Sequence, residues 1–567
     1  MTFDGQTAGP VSATSNTGAQ TGAAVGGTTA GLYVHLTANQ TNPVTFHTTV
    51  ANSASSGIRF NGITIDAGAG TFSLGKGSTT NALDTLWGTS NPQSHGLTNN
   101  SANPAYILPD MRWRMGAGGA HTMVFAGTGD WYVTNDLANV GGAATLIAKD
   151  GPGIMYWTAG HNNYWSSITT IASPLTISGG TLVLKSGGLI PSLTTINNNG
   201  TALVYDAPAS SQNGGVQTIS GLIHGTGNLQ VNNGALTLSG QNDYTGKTVL
   251  SGGSIVLDRA ETLGINGPLG NGGFISFTGG TLGFSVNNTC DYSPRFTNAP
   301  GQAISIDTAG VDVTFTNALT SSGGSLTKLG AGMLTLSGTN SYTGTTTVSN
   351  GTLFINGTNT SSPTIVAGGT LGGGGVVSAP VTLSAGARLS PGASAGSIGT
   401  FTVNSDLNLG GNVAIEANKS LAQSNDFVVV SGVLTNSGTG TLTVSNLGPA
   451  LAVGDKFTLF SKPMQNGAAV IVAGAGAAWA NNLALDGSIT VTSVSRPALK
   501  FALTGGSSLQ FSWDPSFGNY KLQSQTNNLN AGLGPNWVDN PGGGTSGVTV
   551  PLGATNGAVF FRLVSMP

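Results

Sequence analysis

The chain has 567 residues, a formal net charge of −3 and no run of Lys and Arg. That excludes binding to a nucleic-acid phosphate backbone, which needs clustered basic side chains. Charged residues are 7% and hydrophobic ones 38%, which excludes a disordered chain and leaves few Glu and Lys to cover helices. With 90 Gly and abundant Thr, Ser, Asn, Val and Leu, the composition predicts an all-β protein of strands and corners. The single cysteine, Cys290, allows no intrachain disulfide. No apolar run reaches the ~18–20 residues that a membrane-spanning helix needs. The first residues, MTFDGQTAGPVSATSNTG, have neither the basic nor the apolar region of a signal peptide. The chain is therefore cytoplasmic, or Met1 is not its native start; the composition favours the second, with export to the outside of a bacterial cell.

Residues 1–30 are small and polar and cannot build a core. They read as an arm, flexible or ordered by a partner. Residues 31–174 form an irregular, Trp-rich part of a β-solenoid. Tyr33-Val34-His35-Leu36, Ile63-Thr64-Ile65 and Thr122-Met123-Val124-Phe125 alternate as strands do, and residues 88–104 read as an insert between them. Three aromatic pairs stand out: Trp131-Tyr132, Tyr156-Trp157 and Tyr164-Trp165. Neighbours on a strand point to opposite faces, so one of each pair is expected outside. Trp131, Trp157, Tyr164 and Trp165 are the candidate ligand-binding residues, since exposed aromatics stack on sugar rings or anchor proteins. The alternative is that they fill wide coils.

From residue 175 to 494 the pattern becomes regular. Gly180-Thr181-Leu182, Gly280-Thr281-Leu282, Gly351-Thr352-Leu353 and Gly369-Thr370-Leu371 each read as a corner leading into a strand. Two longer copies lie at residues 227–258 and 323–357. Leu236, Leu238, Gly240, Asn242, Tyr244, Gly246 and Thr248 fall on Leu334, Leu336, Gly338, Asn340, Tyr342, Gly344 and Thr346. Such repetition is the mark of a solenoid. Tyr342 and Tyr244 read as corner packing residues. Asn340 and Thr343 are expected to hydrogen-bond along the axis.

Residues 326–353, LTKLGAGMLTLSGTNSYTGTTTVSNGTL, resemble the autotransporter-associated β-strand repeat, also called the passenger-associated transport repeat. The earlier copy departs at its start, where Leu229-Gln230-Val231-Asn232-Asn233 replaces the usual Lys-x-Gly. The resemblance implies a right-handed parallel β-helix displayed outside the cell, and no particular activity. Family members that export themselves end in a membrane barrel. The residues after Thr490 are too few for one, so this chain is expected to use another route. Residues 495–567 read as a separate β-sandwich module, with strands at 508–513, 520–524 and 558–564. Tyr520-Lys521-Leu522-Gln523-Ser524, Asn536-Trp537 and the closing Phe560-Phe561-Arg562-Leu563 resemble a C-terminal module of large secreted proteins from Verrucomicrobia-like bacteria.

Catalytic signals are weak. Glycoside hydrolysis needs two carboxyl groups on one cleft. The aspartates are scattered, and Asp258, Arg259 and Glu261 read as a solvated corner with a local ion pair. Gly392-Ala393-Ser394-Ala395-Gly396 has the letters of a nucleophile elbow but leads into no helical pattern. Gly369-Thr370-Leu371-Gly372-Gly373-Gly374-Gly375 lacks a Walker lysine and reads as a corner. His35, His47, His95, His121 and His161 show no metal-ligand spacing. The expectation is therefore no catalytic residue, no metal and no cofactor. The preferred reading is a structural and adhesive solenoid whose partner is itself, joined head to tail into fibres through uncapped ends. The alternative is a β-helix that binds or degrades surface polysaccharide through the aromatic region.

Overall fold

The computed structural model describes residues 2–3, 11–15, 18–19, 32–36, 44–48, 60–76, 83–87, 94–108, 111–115, 121–134, 145–158, 174–185, 190, 195–211, 214–262, 264–494, 497–514, 520–527, 533–540, 547–551, 553 and 558–565. These residues are strands, corners and two single 3₁₀ turns, Ser293–Arg295 and Gly467–Ala469. The chain divides into one unit of residues 1–297 with 302–307, and another of residues 298–301 with 308–567.

In the first unit the strands stack in parallel. One sheet runs through Phe72–Lys76, Ala105–Ile107, Trp131–Val133, Ile154–Trp157, Thr181–Lys185, Ala202–Asp206 and Asn228–Asn233. A second contains Phe60–Ile65, Ser94–Asn99, His121–Ala126, Thr145–Lys149 and Leu175–Ile177. Ser94–Asn99 lies inside the expected insert. Gly96 and Thr98 point outward, Leu97 is buried and is the one large apolar residue in SHGLTN, so its hydrophobic alternation is too faint to read. The described pieces of the N-terminal arm pair within the chain. Val11–Ser15 runs antiparallel to Leu32–Leu36, and Thr2–Phe3 antiparallel to Val44–Thr48.

In the second unit each coil supplies one strand to each of three parallel sheets. Thr346–Val348, Thr352–Ile355 and Thr358–Asn359 are followed by Thr364–Val366, Thr370–Gly373 and Val376–Val377. Each pair of stacked strands is offset by 18 residues (364 − 346, 370 − 352, 376 − 358). The strands Met333–Leu336 and Thr352–Ile355 of the long repeat stack in register, Leu334 on Leu353 and Leu336 on Ile355. Leu334, Leu353, Leu371 and Leu389 form one inward column and are each 0% exposed. Full burial of such a side chain stabilises by about 1.5–3 kcal/mol. Parallel stacking ends at Ile471–Gly474. Lys456–Thr458, Ala477–Asn482 and Ser488–Val494 form an antiparallel sheet instead.

The C-terminal module is two antiparallel sheets. Ser508–Ser512 lies between Lys500–Thr504 and Gly547–Pro551, and Tyr520–Asn527 between Val538–Asp539 and Ala558–Ser565. Phe511, Trp513, Leu522 and Val548 form its buried core.

Corners require glycine where coils approach closely. Gly351 has φ +65°, and a methyl group there would collide with the carbonyl oxygens of Gly330 and Gly332. Gly386 has φ +84° but open space around it. Gly386→Ala should therefore cost about 1–2 kcal/mol from backbone strain alone. Gly351→Ala should cost at least twice as much, read as the difference in urea midpoints of the two variants.

Candidate functional site

The aromatic region gives the clearest surface feature. On Trp131–Val133 and Ile154–Trp157 the alternation turns Trp131, Val133, Met155 and Trp157 inward. Trp131 is 0% and Trp157 1% exposed, and Trp131 Nε1–H donates to the Ala126 carbonyl at 3.1 Å. The expectation that these two indoles meet a ligand is therefore corrected: the wide coils use them as core. Tyr164 and Trp165 lie outside the described residues.

The outward members of the pairs are tyrosines. Tyr106, Tyr132 and Tyr156 occupy one register position on successive coils. Their rings stack, with centroids 5.1 Å and 4.6 Å apart and interplanar angles of 25° and 20°. The column continues to Val183 and Val204. Lys185 Nζ stands 5.8 Å from the Tyr156 ring and is paired with Asp206 at 2.9 Å. The hydrogen bond that Lys185 donates to Asp206 raises the ammonium pKa, and burial only partly opposes it. Stacked this way, the rings cover one another's faces. A sugar stacks on an aromatic face, so the ladder offers edges and hydroxyls rather than a platform. Each ring pair is worth about 0.5–1.5 kcal/mol beyond its buried area.

The repeat itself has no free chemistry at its corners. Tyr342 is buried, and its hydroxyl shares a hydrogen bond with Thr346 Oγ1 at 2.6 Å. Asn359 Nδ2 donates to that hydroxyl at 3.3 Å. Tyr244 repeats this with Thr248 at 2.7 Å, and burial pushes the Tyr244 phenol up to about 12. The axial bonds expected of Asn340 and Thr343 are present. Leu319 N–H donates to Asn340 Oδ1 at 2.9 Å, and Gly323 N–H to Thr343 Oγ1 at 2.8 Å. Both tyrosines pack at corners, as the sequence suggests.

A role that the sequence reading missed belongs to lysine. Lys328 is 0% exposed, and its Nζ donates to the carbonyls of Leu329, Gly330 and Asn350 at 2.7, 2.8 and 3.3 Å. Lys149, 1% exposed, does the same to Asp150, Gly151 and Gly179 at 2.6, 2.8 and 3.4 Å. Burial pulls the Lys149 ammonium down to about 8, with Asp150 and Asp130 opposing. The two lysines mark a third, divergent copy: IAKDGPGIMYW at 147–157 follows the order of LTKLGAGMLTL at 326–336. Trp157 thus stands where the repeat has Leu336, which accounts for its burial. The Lys-x-Gly spacing was the signal, hidden by the aromatic substitutions.

The carboxylates also depart from expectation in one place. Asp258 accepts from Asn287 Nδ2 at 2.8 Å. Glu261, instead of a solvated pairing with Arg259, is buried against Tyr292 and Arg295, at 2.6 and 3.4 Å. Arg295 also donates to the carbonyls of Leu269 and Gly273, and burial raises the Glu261 carboxyl pKa. This network ties residues 259–295 together. Residues 392–396 turn between the strands Arg388–Pro391 and Thr400–Val403, with no helix behind Ser394. Among the described residues no three His, Cys, Asp or Glu side chains gather as metal ligands, and no helix is long and apolar enough to cross a membrane.

Lys328→Met removes the donor from three corner carbonyls, and Tyr342→Phe removes the hydroxyl that Thr346 and Asn359 meet. Each should lower stability by about 1–3 kcal/mol, measured by urea unfolding.

A family model described as the passenger-associated-transport-repeat matches residues 230–257 and 326–355. No curated protein and no solved structure matches the chain. The matched segments coincide with the two corner networks described above. The chain is thus an all-β parallel solenoid that carries passenger-associated transport repeats.

Proposed function

We propose that this protein is a structural β-solenoid displayed on the outside of a bacterial cell, acting by presenting its surfaces rather than by catalysis. The observation that carries this reading is the use made of the repeat's polar side chains. Tyr342, Asn340, Thr343 and Lys328 all bond to the chain's own backbone or corner hydroxyls. They build coils and leave no convergent set of groups aimed at a ligand. The repeat family supports secretion or surface attachment.

The polysaccharide reading loses its main support, because Trp131 and Trp157 are core residues and the half-buried outward tyrosines hide their faces in each other. The fibre reading rested on uncapped ends. Val11–Ser15 covers the parallel strand Leu32–Leu36 with an antiparallel one, and Lys456–Thr458 belongs to a separate antiparallel sheet; a parallel edge covered as Leu32–Leu36 is makes a poor template for another copy. The surface is therefore presented by single molecules, and adhesion to other cells or matrix would use the outward side chains of the sheets.

In the native organism, protease added outside intact cells should remove the protein, and the purified chain should sediment as one species as concentration rises. Protection of the protein in intact cells would sink the surface assignment. Growth into end-to-end polymers would restore the fibre reading.

A further inference from the structure

The second unit buries two acids against each other. Glu416 lies near the end of Asn412–Ala417, and Asp426 directly precedes Phe427–Val430. Asp426 is 0% and Glu416 6% exposed. Between them residues 417–425 leave the solenoid as a loop and return to it. The neck of that loop is closed by backbone bonds: Asp426 N–H donates to the Glu416 carbonyl at 2.9 Å, and Asn418 N–H to the Ser424 carbonyl at 2.6 Å. The Asp426 carboxyl closes it further. Glu416 N–H donates to Oδ2 at 2.8 Å and Gly399 N–H, from the preceding coil, donates to Oδ1 at 2.8 Å. One side chain thus fastens the neck both to itself and to its neighbour.

Glu416 Oε2 is buried without a hydrogen-bond donor. The charges nearby are engaged elsewhere or turned outward. Lys419 on the loop meets Asp455 at 2.9 Å, and Arg388, on the strand beside Asn412–Ala417, is exposed. The groups acting on Asp426 are the Glu416 side chain and the two backbone donors. Two ionised carboxylates in this position would repel without a cation to separate them. Calcium takes about six to eight oxygens, and this neck offers two carboxyl groups, of which Asp426 already holds two backbone donors. A proton meets the requirement with one bond.

We propose that Asp426 keeps its proton against the buried Glu416 carboxyl and forms an acid-held clasp on the neck of the 417–425 loop, which loosens when that proton is lost. Burial, then the hydrogen bond that the protonated Asp426 donates to Glu416, holds the Asp426 carboxyl up at about 8, against the two backbone donors. Between the ordinary carboxylate value of 3.8 and about 8 the folded chain then binds more protons than the unfolded one. Stability therefore falls as pH rises through that window and levels off above it. For a protein outside the cell, the clasp ties the stiffness of this segment to the acidity around it.

The test uses the full chain and the Glu416→Gln variant, in which the amide still reaches Asp426 but one acid is removed. Infrared spectra across a pH titration should show a protonated carboxyl persisting into neutral solution in the parent. In the variant it should disappear at a pH lower by about one unit or more. Among the described residues Glu261 is the other raised carboxyl, and it is the same in both proteins. The melting temperature of the parent should fall from acid to mildly alkaline solution, with the fall reduced in the variant. Calcium chloride added at the alkaline end should leave it unchanged. A parent spectrum with no protonated carboxyl at neutral pH overturns the proposal, even if the variant fails to fold. So does calcium that restores the melting temperature of the parent but not of the variant, because the pair would then hold a cation.

Discussion

Backbone hydrogen bonds between parallel strands hold successive coils about 4.8 Å apart, and everything else in this molecule follows from that spacing. Each position on a coil sits over the same position of the coil before it. A side chain must therefore be compatible with its own neighbour in the column. Leucines satisfy this inside, as in the column of Leu334, Leu353, Leu371 and Leu389. Tyrosines satisfy it outside by stacking, as in Tyr106, Tyr132 and Tyr156. Asparagines satisfy it at corners, where Asn340 lies in register with Asn359.

The same constraint explains why polar groups can be buried so deeply. A corner turns the backbone away from its ladder and leaves carbonyls without partners. Lys149 and Lys328 answer this with an ammonium shared among three carbonyls. Tyr244 and Tyr342 bury a hydroxyl at the corner by bonding it to a threonine. These are costly side chains to bury unless fully bonded. A functional site usually shows the reverse, with polar groups left open towards a ligand, and the repeat shows none.

Much of the fold was legible because strand and corner chemistry recur at short range. Gly-Thr-Leu marked the corners of Thr181–Lys185, Thr352–Ile355 and Thr370–Gly373, and alternation marked the strands of the C-terminal module. Less was legible where the signal depended on which face a residue takes. Trp131-Tyr132 and Tyr156-Trp157 announce one inward and one outward ring, yet only the phase of the strand says which. Ser94–Asn99 carries one large apolar residue and so looked like a loop. Antiparallel capping is a long-range pairing that small polar segments such as Val11–Ser15 do not announce. Glu416 and Asp426 lie ten residues apart in the chain, and their meeting depends on the loop between them.

The central claim is that coils stack in parallel and in register. Disulfide trapping tests it most directly, on a Cys290→Ser background. Thr327 and Thr347 are half-buried outward residues paired in register on adjacent strands. Cysteines at 327 and 347 should oxidise to a disulfide in the folded protein. Cysteines at 327 and 382 should not, because Thr382 lies three strands along the same column. That is about 14 Å at the strand spacing, beyond the roughly 7 Å that a disulfide spans. A bridge at 327–382, or none at 327–347, would contradict the stacking on which the whole reading rests.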